Sequence, residues 1–304
     1  MRISDFSRYA LSICAAAAFL AGCGGSQPPI GAPGAMLQSR SLVLPTAHGR
    51  DLLYVSGYFA SNVYTYPAGT LISGLAGGMT GVCSNAAGDV FMTVPNANII
   101  DEFAHGRSTP IAQLSDPFGS PQSCSVDPTT GKLAVVSSNG VAIYRPGTLH
   151  RWRLPRLYTP GQNLSSCGYD ASGDLFIDGE TGSSVIIFAE LPKGASKFEN
   201  ITLDQKLTVP GTVQWDGQYL AVGDQYNTLI RRFSIQGSQG TQIGSVTLSG
   251  TQGIPQFWIQ DTIVIGPDEF NAQIGFWKYP DGGSEIKTLQ MDLPYGATVS
   301  VVRK

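Results

Sequence analysis

The feature of the sequence that most constrains its fold is a four-part unit that recurs every 41 to 46 residues. Each unit contains a strand that ends near Asp or Asn, a Gly-containing turn, an apolar strand, a polar loop and two further strands. The first strands align on five anchors, which are Cys83, Cys124, Cys167, Val213 and Phe257. A weaker sixth copy lies at residues 297–301. Periods of this length predict a β-propeller, because the repeats of a parallel β-helix are shorter.

The second strand of each unit is a nearly continuous apolar run. These strands are predicted at residues 52–55, 90–94, 133–136, 175–177, 219–222 and 262–265. A strand with one wet face alternates apolar and polar residues, whereas a strand covered on both faces need not. The third strands are predicted at 63–66, 99–103, 141–145, 185–189, 229–234 and 274–279, and several end in a Pro/Gly turn. The pattern therefore predicts blades that pack face to face.

The order of the strands predicts how the ring closes. Six second strands are present, but the first has no inner strand before it, and the spare inner strand lies at the C-terminus. The last strand is therefore expected to complete the first blade, which would remove an open sheet edge. The predicted fold is an all-β, six-bladed propeller of four-stranded antiparallel blades over residues 51–304.

The N-terminus predicts export and a lipid anchor. Arg2 and Arg8 precede an apolar stretch of 12 residues, 9–20. That stretch is shorter than the roughly 20 residues of a membrane-spanning helix and is typical of a signal peptide. The residues Leu20-Ala21-Gly22-Cys23 resemble the bacterial lipobox. The resemblance implies that residues 1–22 are removed and that Cys23 carries several acyl chains, which anchor firmly. The alternative is an ordinary secretory signal with a chance cysteine.

The segment that follows Cys23 is predicted to be a tether. Residues 23–50 are rich in Gly, Pro, Ser and Ala and show no periodicity. Gly24, rather than Asp, follows the cysteine, which in enteric bacteria resembles a signal for the outer membrane. We therefore expect export through the inner membrane and anchoring in the cell envelope, at the outer membrane rather than the inner one.

The distribution of charge argues against a nucleic-acid partner. The net charge is −3 and is spread along the chain, without a concentrated basic face for nucleic acid. The expected partners are the membrane, through the lipid, and an envelope protein, peptide or glycan, with the chain itself a monomer.

The repeated unit resembles that of NHL-type propellers. The residues Leu220-Ala221-Val222-Gly223-Asp224 look like the apolar strand and acidic turn of that family, and Leu229-Ile230-Arg231-Arg232-Phe233 look like its basic-apolar strand. The resemblance covers roughly residues 51–304. The family contains enzymes, scaffolds and envelope lipoproteins, so the resemblance implies the fold more than the function.

Carboxylates and aromatic residues follow the second strands, in loops that lie on one face of a propeller. The carboxylates are Asp178, Glu180, Asp224, Asp268 and Glu269. Such a cluster is able to hold Ca²⁺ or to attract a cationic ligand, and this would be the only cofactor. The alternative is that Asp beside Gly forms tight turns. The aromatic residues Tyr58, Tyr226 and Phe270 either line a ligand pocket or shield the core.

Three cysteines occupy what look like equivalent inner-strand positions, namely Cys83, Cys124 and Cys167. The favoured interpretation is packing near the axis, where a free cysteine behaves as a small apolar residue. Equivalent positions on a ring stay equally spaced, whereas a disulfide needs Cα atoms within about 7 Å. A disulfide and a thiolate metal site remain alternatives.

The sequence contains no recognised catalytic motif. It has three histidines, His48, His105 and His150, and none lies on a predicted inner strand. The motifs GxSxG, HExxH, GxGxxG and the P-loop are all absent from the sequence. We therefore expect a non-catalytic binding or scaffold module. The alternative is a divalent-metal lactonase or lyase that uses the carboxylates.

Overall fold

In the computed structural model, which describes residues 47–147, 151–181 and 185–302, the strands form six consecutive four-stranded units, the last two of which are joined through a parallel pair of outer strands. The contacts of the chain divide it after residue 40, and every described residue belongs to the second part. The predicted signal peptide, Cys23 and nearly all of the predicted tether lie outside the described residues. Ala47, within the predicted tether, is buried against blade 1.

Each unit is an antiparallel blade that runs from an innermost to an outermost strand. The first three blades contain β1 (Leu52–Gly57), β2 (Ser61–Thr65) and β3 (Leu71–Leu75); β4 (Val82–Ser84), β5 (Val90–Val94), β6 (Ile99–Phe103) and β7 (Ala112–Ser115); and β8 (Pro121–Val126), β9 (Leu133–Ser137), β10 (Gly140–Arg145) and β11 (Arg153–Tyr158). The predicted bounds of β5 and β6 are confirmed to the residue.

The remaining strands build blades 4 to 6 and close blade 1. Blade 4 contains β12 (Leu164–Tyr169), β13 (Leu175–Glu180), β14 (Ile186–Leu191) and β15 (Glu199–Asn200), and β16 (Thr202–Leu203) follows it. Blade 5 contains β17 (Pro210–Trp215), β18 (Leu220–Asp224), β19 (Leu229–Gln236) and β20 (Gln239–Ser249). Blade 6 contains β21 (Trp258–Gln260), β22 (Ile263–Asp268), β23 (Gln273–Lys278) and β24 (Gly282–Gln290), and β25 (Pro294–Ser300) is the last strand. β16 leaves blade 4 and pairs in parallel with β20 of blade 5.

The predicted closure of the ring is confirmed. β25 is the innermost strand of blade 1 and pairs with β1 in antiparallel register, with Leu53 opposite Val299. Two further bonds secure the seam: Val302 N donates to Asp51 Oδ1 at 2.8 Å, and Ser84 Oγ of blade 2 donates to Val299 O at 2.9 Å. The end of the chain is therefore bonded both to its beginning and to the next blade.

The core lies between neighbouring blades, as the continuous apolar strands predict. Every residue of β1 and of β9 is buried. Close to the axis the blades approach so tightly that only small residues fit. A Cβ at Gly81 would lie 2.4 Å from Gln122 O, and one at Gly168 would lie 2.3 Å from Val213 O. Apolar burial and small inner-strand residues together hold the sheets in a ring.

A disulfide between Cys83 and Cys124 corrects the packing interpretation for these two cysteines. Their Cα atoms are 5.7 Å apart. Cys83 pairs with Phe91, the second residue of β5, whereas Cys124 pairs with Val135, the third residue of β9. Because successive side chains of a strand alternate between its faces, Cys83 points towards blade 3 and meets Cys124. The two positions are therefore not equivalent but differ by one residue.

Cys167 keeps the predicted role. It pairs with Ile177, the third residue of β13, and so matches the position of Cys124. Its thiol is free and buried in the apolar cluster between blades 3 and 4. Burial raises the pKa of this thiol, with Asp178 nearby adding to the shift, so Cys167 stays protonated.

Candidate functional site

The axis of the propeller contains two chambers, and the side chain of Gln256 lines both. Gln256 is buried just before β21 of blade 6. Its Nε2 donates to Gln122 O of blade 3 at 3.2 Å, and its Oε1 accepts from Val82 N of blade 2 at 3.4 Å. One amide therefore bridges the blades across the axis and separates the chambers.

The upper chamber lies on the face that carries the loops after the second strands, and it measures about 330 Å³. Its walls come from the starts of inner strands and from two of those loops. The lining residues, all uncharged, are Gln122, Ser138, Asn163, Leu164, Ser165, Gly211, Gln225, Pro255, Gln256 and Tyr295. A concave site with several converging polar groups is the usual form of a ligand pocket.

Several polar groups of the upper chamber have hydrogen-bonding capacity to spare. Gln225 Nε2 donates to Pro210 O at 2.7 Å, and Gln122 Nε2 donates to Ser120 O at 3.0 Å, which leaves the Oε1 atom of each side chain available. Within the described part of the chain, the Asn163 amide and the Tyr295 hydroxyl have no partner. Burial, with Tyr58 and Glu269 nearby, raises the pKa of Tyr295 to about 12, so its hydroxyl remains a donor at neutral pH.

Exposed aromatic side chains form an arc beside the upper chamber, on blades 5, 6 and 1. The aromatic arc consists of Tyr226, Phe270 and Tyr58, which are 64%, 55% and 44% exposed. Each of these residues is next to a residue of the chamber, either in sequence or in space. Tyr226 follows the lining residue Gln225, the Phe270 ring lies over Gly253, two residues before Pro255, and the Tyr58 ring packs edge-on against Tyr295 at 5.2 Å.

Two of the predicted ligand carboxylates are occupied by their own loops. Asp224 accepts from Asn227 Nδ2 of its own loop and from Thr208 N, both at 3.0 Å, and pairs with Arg231 Nη2 at 3.0 Å. Asp268 accepts from Phe270 N and Asn271 N, both at 3.1 Å, and from Asn271 Nδ2 at 2.8 Å. This arrangement is that of a turn-forming Asp, which braces the loop beneath the aromatic residues.

The other three predicted carboxylates lie in different surroundings. Asp178 is fully buried on the face of β13 that packs against blade 5. Glu180 is half-buried at the end of β13, where its N–H donates to Asn163 O at 3.0 Å. Glu269 is half-buried beside Tyr58 and Tyr295, and burial, with Asp268 adding to the shift, raises its pKa. The five carboxylates therefore do not converge on one point, and Glu269 borders the aromatic arc.

The lower chamber opens on the opposite face and measures about 290 Å³. The Cys83–Cys124 disulfide, Tyr169, Trp215 and Trp258 contribute to its walls. The hydroxyl of Ser125 is engaged, since it accepts from Tyr169 N at 3.0 Å, and Gln214 exchanges two bonds with Ile259. This chamber is therefore more apolar and offers fewer available polar groups than the upper one.

Among residues 47–147, 151–181 and 185–302, no group of three or more His, Cys, Asp and Glu side chains is placed to hold a metal ion. The same residues include no helix that is long and apolar enough to cross a membrane. His105 has Nδ1 2.7 Å from Ser300 Oγ and Nε2 3.1 Å from Arg50 O. It thus belongs to the seam of blade 1.

The polar residues that line the upper chamber were not predicted from the sequence. Asn163, Gln225 and Gln256 belong to no motif, and their neighbours in sequence give no sign that they face the axis. The available signal was position alone, because Gln225 follows a second strand and Asn163 and Gln256 precede inner strands. Those are the two classes of loop that share the upper face.

The blades, the closing strand and the axial chambers together define the chain as a six-bladed β-propeller. No family model matches the chain, and no curated protein matches it. Among solved structures, it is similar to a chain from a nidogen/laminin complex, with a TM-score of 0.67, 13% identity, and coverage of 84% of this chain and 100% of that one.

Two other solved structures share the fold. A functionally unknown protein from Desulfotomaculum acetoxidans has a TM-score of 0.59 and 9% identity, with 84% of this chain and 86% of that one covered. Virginiamycin B lyase from Staphylococcus aureus has a TM-score of 0.50 and 12% identity, with 72% and 73% covered. The structural similarity shows a shared β-propeller fold. Sequence identities this low show nothing about the ligand.

Proposed function

We propose that this β-propeller is a non-catalytic binding module of the cell envelope that holds its ligand in the upper chamber. The observation that carries the proposal is the pairing of available amide and hydroxyl groups with an exposed aromatic arc at one concave mouth. Polar groups that converge in a pocket fix a ligand, and exposed aromatic clusters mark interaction sites. The partner is an envelope protein, peptide or glycan.

The proposal includes a lipid anchor on Cys23, with the chain a monomer on its tether at the outer membrane. The disulfide between Cys83 and Cys124 supports export, because disulfides persist in oxidising compartments such as the periplasm and are rare in the cytosol. Mass spectrometry of the chain purified from membranes tests the anchor. A Cys23→Ser variant is expected to lose the acyl mass and to leave the membrane fraction.

The alternative function, a divalent-metal lactonase or lyase, requires carboxylates that act together. Asp224 and Asp268 are bonded to their own loops, and Asp178 is buried between blades 4 and 5. We therefore favour binding over catalysis. Elemental analysis of the purified protein and a thermal shift with Ca²⁺ separate the two. A stoichiometric metal, a shift that is lost in Asp268→Asn, and turnover of a lactone would favour the enzyme.

Retention of envelope components on the immobilised full chain tests the binding function. We expect a component that is retained by the wild-type chain and is reduced at least tenfold by Tyr226→Ala. The matched control is Leu154→Ala, which removes a 93% exposed side chain on the outer strand of blade 3, away from the upper chamber. Equal retention by all three proteins, or no retained component, would contradict the proposal.

A further inference from the structure

We infer that the ligand of the upper chamber is an uncharged oligosaccharide, an inference that rests on the proposed binding function. Sugar hydroxyls both donate and accept hydrogen bonds, so they match side chains that also do both. The amide of Asn163 and the hydroxyl of Tyr295 supply donors and acceptors, and the Oε1 atoms of Gln122 and Gln225 supply further acceptors, at one mouth.

The aromatic arc supplies the apolar contacts that a sugar ring requires. A pyranose ring presents apolar C–H faces, which pack on aromatic rings, while its edges carry the hydroxyls. Tyr58, Tyr226 and Phe270 are more than two-fifths exposed, so their rings are available to a ligand without movement of the core. They lie on three consecutive blades, and their neighbours in sequence or in space line the chamber.

The opposite side of the mouth is polar rather than aromatic. The loops after the second strands of blades 2 and 3 present Asn96, Asn98, Ser138 and Asn139, all exposed or half-buried, and of these Ser138 lines the chamber. A ligand that lies against the aromatic arc therefore turns its other edge towards amides and hydroxyls. This asymmetry fits a ring with apolar faces and polar edges better than it fits a wholly apolar peptide segment.

The charges in and around the upper chamber determine whether it favours neutral or acidic sugars. The lining of the upper chamber carries no charged residue, and Glu269 lies beside Tyr58 and the lining residue Tyr295. A carboxylate accepts bonds from hydroxyls but repels anionic groups. The chamber therefore favours neutral over acidic sugars. Its volume, about 330 Å³, lies at the small end of ligand pockets and suits the end of a chain.

Isothermal titration of the full chain with defined hexasaccharides tests the inference. The neutral probes are maltohexaose, cellohexaose, mannohexaose and N-acetylchitohexaose, and the anionic probe is hexagalacturonate. We expect at least one neutral probe to bind and hexagalacturonate to bind at least tenfold more weakly. Tyr226→Ala and Phe270→Ala are expected to weaken binding at least tenfold, and Leu154→Ala to leave it unchanged.

A more conservative variant tests the polar wall. Asn163 has a φ of +53°, which Asp tolerates nearly as well as Asn, so Asn163→Asp changes charge and donor capacity with little strain. It is expected to lose most of the affinity while it keeps the thermal midpoint. No binding of any neutral probe at 1 mM, equal binding of hexagalacturonate, or full affinity in both aromatic variants would overturn the inference.

Treatment of the envelope extract separates this inference from the function on which it rests. Periodate cleaves vicinal diols of sugars, and a broad protease cleaves polypeptides. A retained component that survives protease and is lost after periodate supports a glycan. Retention that depends on Tyr226 but is lost only after protease keeps the binding function and overturns the glycan. Absence of any retained component overturns both.

Discussion

Gln256 shows how one uncharged side chain organises the axis. An amide carries both a donor and an acceptor, so this residue satisfies a backbone carbonyl of blade 3 and a backbone N–H of blade 2 at once. A buried backbone group without a partner costs about 1–3 kcal/mol. Because Gln256 lines both chambers, its amide forms part of the boundary between them.

Asp178 is the residue whose environment most directly predicts a pH dependence. Among the described residues, neither of its carboxyl oxygens has a hydrogen bond of normal geometry, and burial raises its pKa well above that of an exposed Asp, against a smaller opposing effect of the Ser166 backbone N–H. The folded chain keeps this proton at pH values where the unfolded chain has released it. Stability should therefore fall as pH rises from about 4 towards the raised pKa, by up to about 1.4 kcal/mol per pH unit.

Asp178→Asn should remove that dependence, because the amide has a similar shape and does not ionise. We expect the variant to be more stable than the wild-type chain at pH 7, with the difference shrinking towards pH 4. Urea unfolding at several pH values measures it. Asp224→Asn is the matched control and should be less stable than wild type at pH 7, since Asp224 pairs with Arg231. A loss of stability in Asp178→Asn at pH 7 would contradict the prediction.

The residue scale also shows what the sequence was able to predict. The sequence predicted that carboxylates and aromatic residues occupy the loops after the second strands. It also offered, as the alternative to a ligand site, the turn-forming role that Asp224 and Asp268 have. Whether a given Gln or Asn faces the axis was not predictable, because it depends on bulges near the starts of the inner strands. Register shifts of this kind occur in β8, β12 and β17. A shift of one residue turns a side chain to the other face.

At the scale of elements, the strands were predictable because each blade repeats one pattern, but the register of Cys83 was not. The error came from alignment on the cysteines. In blade 2 the turn begins at Asn85, whose Oδ1 accepts from Ala87 N and Asp89 N, and in blade 4 it begins at Asp170, which accepts from Ser172 N. Alignment on these turn residues places Cys83 one residue closer to its turn than Cys167, which reverses its face.

The disulfide that results is expected to stabilise the contact between blades 2 and 3. It closes a loop across a sequence separation of 41 residues, for which chain entropy predicts roughly 3–4 kcal/mol. The double variant Cys83→Ser/Cys124→Ser should lose about that much, measured by urea unfolding. The same unfolding in dithiothreitol should lower the midpoint of the wild-type chain.

Cys167→Ala provides the control, because that thiol is free and makes no cross-link. Its midpoint should fall further when dithiothreitol is added, as in the wild-type chain, whereas the double variant should not respond to the reductant. A wild-type midpoint that is indifferent to dithiothreitol would show that the cross-link contributes nothing to stability.

At the scale of the whole molecule, the closing strand determines whether six sheets behave as one body. In an open repeat array each unit contacts only its neighbours, and the ends fray independently. Here β25 lies between β1 and blade 6, and Val299 packs in one cluster with Leu53 of blade 1 and Ile265 of blade 6. The same strand accepts a bond from Ser84 of blade 2. The seam therefore joins three blades through the nine residues from Pro294 to Val302.

A charge placed in this seam should destabilise blades that it does not touch. Val299→Asp buries an unpaired carboxylate and is expected to cost about 3 kcal/mol or more, whereas Ile286→Asp, on the exposed face of β24, should change stability by about 0.5 kcal/mol or less. Both variants are unfolded in urea and followed by far-ultraviolet circular dichroism and tryptophan fluorescence. If closure couples the ring, Val299→Asp lowers both midpoints together, including the signal from Trp215 in blade 5. A tryptophan midpoint that stays at its wild-type value while the circular dichroism midpoint falls would mean that the blades unfold separately and that the seam holds only blade 1.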